Sequence, residues 1–217
     1  TLYLLESISD VKQNENILFF SHAVGYFDLS EEMESMNKEL ITLAFRMEKN
    51  REKAVAKSNQ GGYQSDFLLD SEFIVRRWKK ILIDVVARFG KSIHLKEPFT
   101  IHVDKPWLNV NRKNHHNITH THGGNDFSVV YYIEVPENSG RLVFENPVLH
   151  QRTTTLWYDK HDMWNSEFIY VTPQKHNLII FPSYLPHFVE PNKSKKPRIS
   201  LACNLSITNE KNRRLEK

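Results

Sequence analysis

The chain has 217 residues, of which 40% are hydrophobic and 25% charged, and its formal net charge at pH 7 is only +3. This size and balance predict a folded globular protein with one full hydrophobic core, and they exclude disorder as the default state. The small net charge argues against a nucleic-acid-binding surface, and no apolar run approaches the roughly 18 residues of a membrane span. The single cysteine, Cys203, excludes an internal disulfide and fits a soluble protein of the cytoplasm.

The first half of the chain has the periodicity of two helices. Ser30 is typical of a helix N-cap, and apolar residues follow it at helical spacing, namely Met33, Met36, Leu40, Ala44 and Met47. A second helix is predicted from near Asp70 or Ser71 to a stop at Gly90, with an apolar stripe formed by Ile74, Trp78, Ile81, Leu82, Val85 and Phe89. The polar segment 58–67 between them is interpreted as a helix–helix connection, because it lacks the lysine of a phosphate-binding loop.

From about residue 99 the pattern changes to short segments rich in β-branched and aromatic residues. Eight such segments follow one another, namely FTIHV, WLNVN, FSVVYYIEV, RLVFE, FIYVT, NLIIF, HFVE and RISLACNLSI. Strands without intervening helices predict an antiparallel barrel or double-sheet jelly roll, with the helices covering the outer face of the major sheet. We therefore expect a single α+β domain over 1–217, mainly helical to about 97, with a jelly-roll core at about 98–208 and a charged tail at 209–217.

Two histidines in the segment NITHTHGG, His120 and His122, are candidate metal ligands. Residues two apart on an extended chain point the same way, so both imidazoles can reach one point, whereas a helix would separate them by about 200°. A histidine-rich polar loop remains the alternative on the residues alone. His187 opens a later strand, and Asp126 lies close enough in the sequence to supply a carboxylate ligand instead of His122.

A candidate anion site lies on the last predicted strand. Arg198 stands among β-branched and apolar residues in PRISLACN, where burying a guanidinium is costly unless it meets an anion. Its planar fork suits a carboxylate, and Ser200 would lie on the same face of the strand and add a hydroxyl.

An early H-x-(D/H), a late histidine and an arginine about ten residues beyond it resemble the iron(II)- and 2-oxoglutarate-dependent oxygenases. The chain is most similar to a small bacterial and phage subfamily of 2OG-Fe(II) oxygenases with an HxH motif. This resemblance rests on SNQGGYQS, WLNV, HTHGGNDFSVVYYIEVPENSG and FPSYLPHFVEPNKSKKPRIS, which together span most of residues 58–208. It implies a double-stranded β-helix with a metal at its mouth, and Fe(II) and 2-oxoglutarate as cofactors.

The resemblance also implies roles for single residues. The metal ligands would be His120, His122 and His187, with His122 standing where most of the superfamily has a carboxylate; Asp126 remains the alternative ligand. The far carboxylate of 2-oxoglutarate would be held by Arg198, Ser200 and Tyr132, whose neighbour Tyr131 should face the opposite side of the sheet. Asn109 in WLNV would touch the iron-chelating end of 2-oxoglutarate.

The implied activity is that of an Fe(II)/2-oxoglutarate-dependent dioxygenase that hydroxylates an unactivated C–H bond and releases succinate and CO2. Two alternatives stay open: a three-histidine cupin-type dioxygenase that does not use 2-oxoglutarate, and a non-catalytic metal-binding jelly-roll protein. The substrate, a small molecule or a peptide, is not specified, but Trp157, Tyr158 and Trp164 are candidate contacts unless they form a packed flap. No nucleic-acid or membrane partner is expected, and a homodimer through edge strands stays open.

Overall fold

The computed structural model describes residues 22–50, 54–66, 72–148, 157–161 and 165–209. The helices are α1 (Ser30–Asn50) and α2 (Phe73–Ser92). The strands are β1 (Gly25–Asp28), β2 (Asn59–Gln60), β3 (Tyr63–Gln64), β4 (Phe99–Val103), β5 (Trp107–Asn111), β6 (His116–His120), β7 (Phe127–Glu134), β8 (Leu142–Glu145), β9 (Phe168–Val171), β10 (Asn177–Pro182), β11 (His187–Val189) and β12 (Arg198–Asn209).

The strands form two antiparallel sheets whose inner faces share a core. The seven-stranded sheet has the order β1-β10-β7-β12-β5-β3, with β4 also paired to β12, and the five-stranded sheet has the order β2-β6-β11-β8-β9. Tyr132 and Phe181 of the larger sheet pack with Leu142 and Phe144 of the smaller one. These sheets and the two helices confirm the predicted α+β jelly roll.

Both helices lie on the outer face of the seven-stranded sheet. Their apolar stripes, including Met36 and Trp78, are buried in one cluster with sheet residues such as Val129 and Leu201. The predicted stop of α2 at Gly90 was wrong, because the helix continues to Ser92. A Cβ at Gly90 would lie 2.9 Å from a ring carbon of Phe99, so this glycine allows close packing instead of ending the helix.

Each of the eight predicted strand segments forms a strand in the structure, namely β4, β5 and β7 to β12, but β1, β2, β3 and β6 were not predicted. Two of these, β2 and β3, come from the segment that was interpreted as a helix–helix connection. β2 pairs with β6 of the smaller sheet, and β3 pairs with β5 of the larger sheet. Such two-residue strands carry no alternating pattern, and long-range pairing alone defines them. The segment 59–64 therefore connects the two sheets beside the open end of the jelly roll.

Neither of the helices in the described part of the chain is long and apolar enough to cross a membrane. The expected starts of α2 at Asp70 or Ser71, and the tail from residue 210 onward, lie outside the described residues.

Candidate metal and cosubstrate site

Strand pairing brings the three candidate histidines together. His120 ends β6, His187 begins β11, and the two are register partners. His122 follows two residues after β6, and one ligand nitrogen from each ring lies within 4.8 Å of the others. The ring centroids of His120 and His187 are 4.3 Å apart, and those of His122 and His187 are 5.3 Å apart. The structure thus presents three imidazole donors to one point.

Main-chain carbonyl groups orient two of these rings. The Nδ1–H of His120 donates to the carbonyl of Ile118 at 2.8 Å, and that of His187 donates to the carbonyl of Leu185 at 2.9 Å. Since Nδ1 carries the proton in both rings, the lone pair of each Nε2 is left for a metal. The backbone N–H of His122 donates to the Ser183 carbonyl at 2.8 Å, which fixes the third ligand.

Burial keeps the three imidazoles neutral. Desolvation, together with the smaller effect of the neighbouring His120, lowers the pKa of His187 to about 3 and the pKa of His122 to about 4. Desolvation likewise lowers the pKa of His120. Neutral imidazoles are the protonation state that binds metals, and they suit iron(II), zinc, copper and nickel.

Arg198 is a buried cation, and no carboxylate of the described residues forms an ion pair with its guanidinium. Its side chain is 3% exposed, and Nη1 donates to the main-chain carbonyls of Ser139, Gly140 and Glu190. The carboxylate of Glu190 is bound instead by Arg141, at 2.8 Å from Nε and 2.6 Å from Nη2. The Nη2 group of Arg198 is buried without a hydrogen-bond partner among the described residues. An anion in the cavity would satisfy both this donor and the charge.

Gly140 lets the turn after β7 approach the guanidinium. Its φ is +88°, in the left-handed region that favours glycine. A Cβ here would overlap the carbonyl oxygen of Glu190 and lie 2.9 Å from Nη1 of Arg198. The glycine in PENSG is therefore needed for the carbonyl cradle that holds Arg198.

Ser200, Tyr132 and Asn109 form one row across three adjacent strands. Ser200 is the register partner of Asn109 on β5 and of Tyr132 on β7, and all three side chains line the same cavity as Arg198. The amide of Asn109 donates to the Ser200 hydroxyl at 3.5 Å, while its carbonyl oxygen is buried without a partner among the described residues. Asn109 thus lies beside Ser200, between Asn111, which is the register partner of Arg198, and Trp107, which packs against His122. Tyr131, as expected, faces the helices instead.

The histidines and Arg198 share one cavity of about 380 Å³. This volume lies within the range of small-molecule sites. Lys57 and Arg198 both line the cavity, and no aspartate or glutamate does, so the cavity is cationic among the described residues.

Several lining residues were missed by the sequence reasoning. Trp107 packs against His122 with ring centroids 5.8 Å apart, and Asn111 lines the wall two residues beyond Asn109. Strand alternation from Asn109 could have found both. Ser58 lies 3.4 Å from Nε2 of His120, and only its membership in SNQGGYQS marked it.

Other predicted site residues are not brought to the cluster. The carboxylate of Asp126 accepts from the backbone N–H of Ile207 at 2.6 Å and lines a different cavity. Trp157 is 98% exposed, and neither it nor Tyr158 lines the cavity of the histidines. Trp164 lies outside the described residues.

Comparisons with known proteins agree with this geometry. Residues 105–204 match the family model described as "Putative 2OG-Fe(II) oxygenase". A search of curated protein sequences found no match. The matched stretch contains all three histidines, Arg198 and both sheets' central strands, so over these residues the chain is similar to the 2OG-Fe(II) oxygenases.

Solved structures show the same fold at low sequence identity. A prolyl-4-hydroxylase from Pseudomonas putida is 14% identical, with a TM-score of 0.61 over 86% of this chain and 93% of that chain. A prolyl hydroxylase from Trichoplax adhaerens, in complex with a peptide fragment of hypoxia inducible factor, is 15% identical, with a TM-score of 0.59 over 89% and 87%. SnoN, a non-heme alpha ketoglutarate dependent epimerase from nogalamycin biosynthesis, is 11% identical, with a TM-score of 0.59 over 85% and 78%.

The protein is therefore an oxygenase whose cofactors are Fe(II) and 2-oxoglutarate. Its residues fit these groups, because three neutral imidazoles suit iron(II) and the unpartnered Nη2 of Arg198 suits a carboxylate.

Proposed function

We propose that the protein hydroxylates an unactivated C–H bond, with Fe(II) held by His120, His122 and His187, and with succinate and CO2 as coproducts. The observation that carries the proposal is the placement of Arg198, a buried cation without a carboxylate partner, in the same cavity as the three histidines. A metal site alone would not require this arginine. A cosubstrate with a carboxylate at its far end accounts for both features.

Arg198 would bind the far carboxylate of 2-oxoglutarate through Nη2, while the carbonyls of Ser139, Gly140 and Glu190 hold Nη1 in place. Ser200 would add its hydroxyl from the same face of β12. Burial raises the pKa of Tyr132 to about 12, so its hydroxyl is a hydrogen-bond donor at neutral pH. Asn109 would contact the iron-chelating end of the cosubstrate.

Charge supports this assignment. Three imidazoles leave iron(II) with its full +2 charge, and doubly negative 2-oxoglutarate would bring the inner site to about zero. The far carboxylate of the same 2-oxoglutarate would pair with Arg198, so the site together with Arg198 would carry a charge of about +1. His122 is preferred to Asp126 as the third ligand, because the Asp126 carboxylate is engaged with Ile207.

When bound, Fe(II) and 2-oxoglutarate supply the oxidative chemistry, in which one oxygen atom of O2 enters the substrate and the other enters succinate. The chain holds the imidazoles by the Ile118 and Leu185 carbonyls and anchors the cosubstrate at Arg198. Apolar side chains behind the site, including Phe144 and Phe181, limit water on that side.

The substrate would be a small molecule or a peptide side chain that reaches the metal between Trp107 and Ile118, both of which line the cavity. Structures similar in fold include a prolyl hydroxylase with a peptide and an epimerase, so hydroxylation is the proposed outcome among the oxidations this fold supports.

Succinate formation tests the proposal. The purified protein with Fe(II), ascorbate and O2 should convert 2-oxoglutarate slowly to succinate without a substrate, and a metabolite or peptide mixture should raise the rate. Arg198→Ala should abolish this turnover. Oxygen consumption that does not depend on 2-oxoglutarate would indicate a three-histidine cupin-type dioxygenase, and tight metal binding without either reaction would indicate a metal-binding protein.

A further inference from the structure

A chain of side-chain hydrogen bonds leads from strand β5 to the metal-facing atom of His120. The amide of Asn111 donates to the side-chain oxygen of Asn117 at 3.2 Å, and the amide of Asn117 donates to the hydroxyl oxygen of Ser58 at 3.1 Å. The hydroxyl oxygen of Ser58 lies 3.4 Å from Nε2 of His120. The proposed metal ligand is therefore the last member of a polar chain.

The direction of this chain is fixed at both ends. Nδ1 of His120 donates to the Ile118 carbonyl, so Nε2 carries no hydrogen and can only accept. Ser58 already accepts from Asn117, which leaves its own hydrogen for Nε2. If Ser58 instead donated its hydrogen to Asn117, a lone pair of the Ser58 oxygen would face the lone pair of Nε2 of His120. In the metal-free protein, Ser58 is thus the donor to His120.

Metal binding removes the acceptor of this hydrogen, because the metal takes the lone pair of Nε2. The hydroxyl cannot reverse, since Asn117 still donates to its oxygen. We propose that Ser58 is a positioning residue that turns its hydrogen to an oxygen atom bound to the metal next to His120. That oxygen belongs either to 2-oxoglutarate or to the ligand in the remaining position. The inference rests on the proposed function, because it requires a metal on His120.

The backbone holds Ser58 at this place. The N–H of Ile118 donates to the Ser58 carbonyl at 3.0 Å, and the next residue, Asn59, pairs with Asn117. Gly61 has a φ of +76°, and a Cβ there would lie 2.7 Å from Cδ2 of His115. Gly61 thus packs against the turn between β5 and β6, and Ser58 lines the cavity.

Binding measurements on Ser58→Ala and Ser58→Thr test the proposal, with Ser206→Ala as a matched control outside the cavity. The probes are Co(II) alone, followed by absorption; 2-oxoglutarate added to the Co(II) protein; and nitric oxide added to the Fe(II) protein with and without 2-oxoglutarate. Ser58→Ala should bind Co(II) as tightly as the wild type or more tightly, because a competing hydrogen bond to Nε2 is lost.

The same variant should lose about tenfold in affinity for 2-oxoglutarate or for nitric oxide, which is the size of one hydrogen bond to a charged or metal-bound oxygen. Ser58→Thr keeps the hydroxyl and should bind that probe with the affinity of the wild type. The probe that responds identifies the oxygen. A parallel fall in Co(II) affinity would show that Ser58 only supports His120, and unchanged affinity for both probes would also overturn the proposal.

Failure of the proposed function gives a different result. A wild-type protein that binds Co(II) but not 2-oxoglutarate would contradict the proposed function, while the nitric oxide measurement would still decide the role of Ser58.

Discussion

His120 and His187 are register partners on the adjacent strands β6 and β11, and their ring centroids lie 4.3 Å apart. The pairing of two strands therefore sets the distance between two proposed metal ligands that are far apart in the sequence. His122 joins them through a main-chain hydrogen bond to Ser183, in the turn before β11. Backbone hydrogen bonds thus hold all three histidine positions.

Replacing His187 by alanine should remove metal binding. One of three nitrogen donors is lost, and we expect affinity to fall by more than about 100-fold, since loss of even an outer partner of a metal ligand costs roughly 10–100-fold. Metal content after dialysis against Fe(II) or Mn(II), measured by mass spectrometry, checks this. The control is His102→Ala, because His102 is exposed on β4 and contacts Thr208. Full metal occupancy in His187→Ala would contradict the assignment.

Replacing Arg198 by alanine should leave metal binding unchanged and weaken the binding of 2-oxoglutarate. A charge-assisted hydrogen bond is worth roughly 1.5–3 kcal/mol, so the dissociation constant should rise about 10–100-fold. Calorimetric titration of the Mn(II) protein with 2-oxoglutarate measures it. Arg141→Ala is the matched control. Arg141 directly follows the turn whose carbonyls hold Arg198, but its own guanidinium binds Glu190 at the surface. Equal losses in both variants would mean that Arg198 does not contact the cosubstrate.

The stability of the metal-free protein should fall as the pH decreases below about 6.5. Desolvation lowers the pKa of folded His187 to about 3, so below its ordinary value the unfolded chain binds a proton that the folded chain does not. The free energy of unfolding should therefore drop by up to about 1.4 kcal/mol per pH unit from this residue. Urea unfolding at about pH 7 and about pH 5 measures the slope. In His187→Gln the free energy of unfolding should depend less steeply on pH. Equal pH dependence in the variant and the wild type would show that His187 is not the cause.

Much of the site could be predicted because its signals are local. The spacing of His120 and His122 and the placement of Arg198 and Ser200 on one strand face depend only on strand alternation, and the structure agrees with both. Ser58 could not be derived in this way, because its contact with His120 depends on the pairing of a two-residue strand with β6. Gly90 was misread for a related reason: a glycine required by packing looks the same in sequence as one that ends a helix.

Gly140→Ala should destabilise the protein more than Gly124→Ala. Both glycines have left-handed φ angles, +88° and +84°, so each substitution costs about 1–2 kcal/mol from the backbone. Only a Cβ at Gly140 meets other atoms, namely the Glu190 carbonyl and Arg198, whereas Gly124 faces open space. We expect Gly140→Ala to lose roughly 1–3 kcal/mol more. Chemical denaturation of both variants checks the difference, and equal losses would contradict the close packing.

Gly140→Ala should also weaken the binding of 2-oxoglutarate. The added Cβ would displace the turn whose main-chain carbonyls hold the Arg198 side chain. Titration with 2-oxoglutarate separates this effect from stability, since Gly124→Ala should bind the cosubstrate as the wild type does.

The adjacent residues Tyr131 and Tyr132 should respond in opposite ways to the loss of a hydroxyl. The Tyr131 hydroxyl donates at 2.7 Å to the side-chain oxygen of Asn37, which is 1% exposed on the buried face of α1. Tyr131→Phe leaves this buried acceptor unsatisfied and should cost about 1–3 kcal/mol of stability, with no change in 2-oxoglutarate affinity. Tyr132 faces the cavity, so Tyr132→Phe should instead lower the affinity for 2-oxoglutarate about tenfold and leave the stability nearly unchanged.

Each tyrosine variant is the control for the other, measured by urea unfolding and by titration of the Mn(II) protein. Alternation along β7 places the two hydroxyls on opposite faces, so one side chain stabilises the helix contact and the other lines the cavity. A Tyr132→Phe variant that binds 2-oxoglutarate normally would remove Tyr132 from the cosubstrate site, and the far carboxylate would then depend on Arg198 and Ser200 alone.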